Sequence, residues 1–161
     1  MADISSLEST VTESAADNGQ DQTITATQVP EHQRLNFLPR VFGPRLALLG
    51  ESAVFDWMGH LCPDYSGGYW QFFDLSNGGF FMALDEGSCP TSESTPLLRI
   101  SVEGNGYTGT LSAEAAGVLV TLFALNHLLF AGHHGLIDAY DALTDFARQH
   151  PEVRAITRAL D

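Results

Sequence analysis

A chain of 161 residues with 44% hydrophobic content can build one core of ordinary size and little beyond it. Its 20 acidic residues outnumber 7 basic ones, all arginine, and the resulting formal charge of -13 repels nucleic-acid phosphates, which argues against direct DNA binding. Cys62 and Cys89 form no CxxC pair, and no basic stretch followed by an apolar run marks a signal peptide, so a cytoplasmic protein with unlinked thiols is expected.

Met1 to Ala26 holds Asp3, Glu8, Glu13, Asp17 and Asp21 with no basic or aromatic residue, too little apolar surface to offset the entropy of ordering. At its end the alternation Thr23-Ile24-Thr25-Ala26-Thr27 gives only a weak edge-strand signal. The expected organisation is a disordered acidic tail over residues 1–28 and one folded domain over 29–161.

The domain opens with Pro30 at the first position of a short helix whose apolar residues Leu35, Phe37 and Leu38 lead into Pro39, and a turn region with Gly43 and Pro44 follows. From Glu51, the apolar residues Val54, Phe55, Met58, Leu61 and Cys62 recur at helical spacing until Pro63. Aromatic runs over 68–75 and 80–84 flank Asn77-Gly78-Gly79 and predict a hairpin. After a polar loop over 85–95, alternation over 96–103, the turn Gly104-Asn105-Gly106, and Tyr107 to Thr110 predict a second hairpin.

Ser112 caps the next helix, which is apolar nearly all round and therefore central. Its apolar stretch, Ala115 to Ala131, contains Asn126 and His127 and falls short of the roughly 20 residues that span a bilayer, so no membrane association is expected. Gly132-His133-His134-Gly135 ends it, a helix with Leu136, Ile137, Tyr140, Leu143 and Phe146 on one face runs to Pro151, and Glu152 to Leu160 supplies a last one. The fold class predicted is α/β of the α+β type: a small, mainly antiparallel sheet of about four strands packed with four to five helices in a single domain.

The chain contains no Gly-rich phosphate loop, GxSxG elbow, HExxH or paired CxxC. His127, His133 and His134 lack the Cys or carboxylate spacing of a metal site, and Cys62 with His60 reads as a buried helical cysteine more readily than as a nucleophile and its base. The pairs Asp85-Glu86 and Asp56 with Asp64 fall on solvated loops or faces. The sharper candidate is a partner contact through Asp138, Asp141 and Asp145, whose i, i+3, i+7 spacing puts three charges on one helical stripe. The aromatic hairpin residues Tyr69, Trp70, Phe72 and Phe73 could expose a sticky patch, although core packing is the commoner use of such residues.

Three blocks carry a family resemblance: VPEHQRLNFLPRVFG from Val29, GGYWQFFDLSNGGFFMA from Gly67, and GNGYTGTLSAEAAGVLVTLFAL from Gly104, followed by HPE at His150 to Glu152. In this order they resemble the ArdB/KlcA antirestriction proteins, with Phe81, Leu84, Tyr107 and Glu114 standing where that family is expected to have Tyr, Pro, Phe and Asp. The resemblance implies a compact protein carried by plasmids or other mobile elements. It also implies relief of type I restriction-modification of incoming DNA, without a catalytic centre, cofactor or metal of its own.

Its partner would be the type I restriction-modification system, met directly or indirectly. DNA mimicry is disfavoured as the route, because five of the 20 acids lie before Val29 and the other 15 are scattered against 7 arginines, which leaves a net charge of -8 over 29–161. Two alternatives stay open: an acidic DNA-mimic inhibitor of a DNA-binding protein, and an enzyme of unrecognised type. Oligomeric state is left open by the sequence.

Overall fold

A computed structural model of the chain describes residues 22–90 and 94–161. Strand β1 (Ala26–Gln28) leads through a 3-10 turn (Glu31–Gln33) into helix α1 (Arg34–Phe42), followed by α2 (Ala47–Leu61). A hairpin of β2 (Trp70–Leu75) and β3 (Phe80–Leu84) comes next, and then a second hairpin of β4 (Leu97–Val102) and β5 (Tyr107–Ser112). Helices α3 (Ala113–Phe130), α4 (Ile137–Gln149) and α5 (Val153–Leu160) complete an α+β domain.

Part of the expected tail is structured: β1 pairs antiparallel with β2, Gln28 opposite Phe73, and Val29 N–H donates to the Phe72 carbonyl at 2.8 Å. The domain therefore starts before Val29, while residues 1–21 of the expected tail lie outside the described residues. Helix α1 runs through Pro39 and ends at the expected turn, with Gly43 as its C-cap. Proline removes the N–H that would have met the carbonyl of Leu35, a residue 92% exposed and so open to water. Phe37 and Phe42, buried on either side of it, hold the segment helical through packing: Phe37 stacks on Phe72 at 4.6 Å and meets Phe80 edge-on at 5.8 Å.

The predicted hairpins both form, and β1 joins the first, but they do not merge. The strands lie in a three-stranded sheet, β1-β2-β3, and a separate β4-β5 ribbon. The outer edge of β3 is closed by α3, because Thr121 on α3 accepts from Met82 N–H at 3.2 Å and its hydroxyl donates to the Met82 carbonyl at 3.4 Å. With the Met82 backbone groups engaged by a helix and all five of its residues buried, β3 is covered by α3 where a fourth strand would have to pair.

Helix α3 packs against α2, β3, α4 and α5. Among the described residues it is the one helix long and apolar enough to cross a bilayer, yet 67% of its length is buried inside the fold, as its all-round apolar surface requires.

Both turn asparagines reach beyond their hairpins. Asn77 donates to the Ala142 carbonyl of α4 at 2.8 Å, and Asn105 donates to the Arg158 and Ala159 carbonyls of α5 at 3.2 and 3.1 Å. Gly78 and Gly106 take the left-handed conformation (φ 87° and 72°), which lets each asparagine oxygen accept the N–H two residues on. The turns thus pin helices as well as reversing the chain.

Candidate functional site

The stripe of Asp138, Asp141 and Asp145 lies exposed on α4, but it is not uniformly negative, because Asp145 accepts from Arg148 at 2.9 Å. Seven residues of helix cover only about 10 Å, three charges long, which is too short to imitate a phosphate row. Other acids are also paired across the surface: Asp74 with Arg40 at 2.9 Å and Asp64 with Arg99 at 2.9 Å.

The histidines singled out in the sequence separate. His127 faces α2, whereas His133 and His134 border a different cleft against α1. Among the described residues, no three His, Cys, Asp or Glu side chains come together as a metal site. Burial pushes the Cys62 thiol above its usual pKa, so the thiolate a nucleophile needs is disfavoured. Asp85 is occupied locally, accepting from Gln71 and from Gly87 N–H, each at 3.0 Å. Of the hairpin aromatics, Trp70 and Phe72 are buried and Tyr69 is half-exposed against Arg34, whose guanidinium lies between the Tyr69 and Phe72 rings at 4.6 and 4.3 Å from their centres.

The surface feature that stands apart is a groove of about 460 Å³ between α2 and α3. Leu49, Ala53, Trp57 and His60 line it from α2, and His127 and Ala131 from α3. The Trp57 ring stacks on Phe123 at 4.7 Å and packs near His60 and His127, with ring centres 5.9 and 6.4 Å away. Leu48 and Phe130, the chain neighbours of the lining residues Leu49 and Ala131, are 77% and 86% exposed, an unusual placement for large apolar side chains on well-packed helices. His60 Nδ1 lies 2.7 Å from the Asp56 carbonyl; a carbonyl only accepts, so this nitrogen carries a proton and the neutral ring leaves Nε2 as an acceptor.

Asp56, His60 and His127, each notable in the sequence for a different chemistry, meet here, and no spacing in the chain relates the three. The available signal was that α2 is apolar on more than one face, Leu48-Leu49 at its start as well as Val54 and Met58.

Residues 63–161 match the family model described as antirestriction protein. The chain belongs to the antirestriction protein family. One KlcA antirestriction protein of Escherichia coli is 48% identical over 149 residues, covering 89% of this chain and 99% of the relative. A second is 50% identical over 145 residues, covering 86% and 94%. The putative antirestriction protein YubI of E. coli K12 is 35% identical over 141 residues, covering 83% and 93%. A solved structure superposes with a TM-score of 0.77 at 47% identity, covering 89% of this chain and 99% of that one; it comes from work on KlcA and ArdB, which reports a novel fold and antirestriction activity against type I DNA restriction systems in vivo but not in vitro.

In this antirestriction domain the HPE segment is a clamp. Glu152 accepts from Ser112 N–H at 3.0 Å and from the Ser112 hydroxyl, while Glu152 N–H donates to His150 Nδ1 at 3.0 Å. That bond places the neutral ring's proton on Nε2, which lies 3.1 Å from Glu114 and donates to it. The start of α3 and the start of α5 are thereby tied through one buried histidine.

The bond from His150 holds the Glu114 carboxyl below its usual pKa. A carboxylate with a depressed folded pKa contributes stability above its unfolded pKa and loses it as pH falls through the folded one. The thermal-melt gap between wild type and Glu114→Gln should therefore be widest near neutrality and narrow from about pH 5 to pH 3. A gap that stays constant across that range would show that the carboxylate's charge plays no part.

Proposed function

We propose that this chain relieves type I restriction of incoming DNA by contact with other proteins in the cytoplasm, with no bond chemistry of its own and without occupying a DNA-binding groove by charge imitation. The observation that carries the reading is that the acids are interrupted by partners: Asp64, Asp74, Asp145 and Glu114 each face an arginine or histidine, so the remaining carboxylates form no continuous row. A mimic of duplex DNA needs carboxylates at regular intervals over a long surface.

Near-full-length similarity to KlcA antirestriction proteins supports the biological role. The activity reported for KlcA and ArdB in vivo but not in vitro supports a route through cellular components beyond a purified restriction enzyme. The protonated Cys62 thiol and the separation of His127 from His133 and His134 support the absence of catalysis.

Expression of the protein in cells with a type I system is expected to raise the plating efficiency of unmodified phage. Equal recovery with and without it, across several such systems, would end this reading. Salt-sensitive displacement of labelled duplex from the restriction enzyme by purified protein would replace protein contact with mimicry.

A further inference from the structure

We infer that the groove between α2 and α3 is a docking site for a basic amphipathic helix of a partner protein. The inference rests on the protein-contact reading above and names the surface and the chemistry of what it receives. From Leu49 to His60 the groove follows α2 for about 16 Å, three helical turns, the length over which a bound helix presents apolar anchors at i, i+4 and i+7. Leu49, Ala53, Trp57 and Ala131 give an apolar floor, and Leu49 is itself half-exposed, open to an anchor that packs on it.

Charge decides among occupants. Asp56 is the one acidic residue that lines the groove, beside His60 and His127, and its carboxylate has no ion-pair partner among the described residues, unlike Asp64, Asp74 and Asp145. A second copy of the chain would bring Asp56 against its own counterpart within an overall charge of -13. The chain's own first 21 residues hold five acids and no base, and an anionic lipid surface would be repelled in the same way. A segment whose apolar face is flanked by arginine or lysine satisfies both the floor and the rim. Proteins that handle DNA display such basic surfaces, because phosphate binding demands them.

The first probe is a synthetic helical peptide with leucine at i, i+4 and i+7 and arginine on its flanks, compared with a twin in which every arginine is glutamate. The arginine peptide should shift backbone NMR signals along Leu49–His60 and His127–Ala131, the glutamate twin should not, and Asp56→Asn should weaken the arginine peptide about two- to fivefold. Equal binding of the two peptides, shifts elsewhere only, or self-association through this face in sedimentation would overturn the proposal.

In the plating assay Leu49→Asp, checked for an unchanged Tm, should lose most of the protection; full protection by that variant would remove the groove while leaving the antirestriction role intact. Absence of protection by the wild-type chain would instead remove the role.

Discussion

Gly117→Ala is expected to destabilise the protein by about 2–4 kcal/mol, although the same change in an ordinary helix interior stabilises by up to about 1 kcal/mol. A β-carbon at Gly117 would lie 2.5 Å from both the Ala83 β-carbon and the Met82 carbonyl oxygen, and 2.7 Å from the Ala83 α-carbon. Those atoms belong to the backbone of β3 or are fixed directly to it, so no rotamer change relieves the clash and α3 must withdraw. Withdrawal also strains the Thr121 bonds to Met82 one turn along, leaving buried ladder groups unpaired at a cost of about 1–3 kcal/mol. Gly59 is the internal control. It is exposed on α2 with nothing within 4 Å of an added β-carbon, so Gly59→Ala should raise stability. Urea unfolding of the two variants should move the midpoint in opposite directions, and a stabilised Gly117→Ala would mean that α3 does not ride on the β3 backbone.

Phe81→Ala is expected to cost about 3–5 kcal/mol, a large share of the roughly 5–15 kcal/mol that holds a domain of this size together. Phe81 is fully buried and sits in a ring column, stacked on Phe73 at 4.6 Å and on Phe146 at 5.6 Å, with Phe146 in turn against His150 at 6.0 Å. The column joins the first sheet to α4 and ends at the His150 clamp, so truncation opens a cavity between layers that cannot close without moving a helix. Tm should fall by about 10–15 °C, at roughly 2–4 °C per kcal/mol. A drop of only a few degrees would mean the layers collapse onto the gap.

Where one chemical rule acts within a few residues, the element could be read directly from the chain. The Asn-Gly turns, the Ser112 cap, whose oxygen accepts Ala115 N–H at 3.1 Å, and the all-round apolar character of α3 are of this kind. Pro39 and the split of the strands into two sheets are of the opposite kind. Local preference stops a helix at a proline, but the burial of Phe37 and Phe42 outweighs one lost hydrogen bond. Strand patterning predicts hairpins and says nothing about which edge stays open, because the group that closes β3 is a threonine on a helix 39 residues away.

The same division runs through the candidate sites. Asp138, Asp141 and Asp145 could be found because helical spacing fixes which side chains share a face. The α2–α3 groove could not, since a leucine that faces solvent and one that faces the core are identical in sequence until a neighbouring helix covers one of them. Composition and local periodicity thus determined the elements, the central helix and the scattered charge of this protein. Its tertiary packing alone decided which carboxylates found partners and which apolar surface was left uncovered, because both are properties of pairs of residues brought together only by folding.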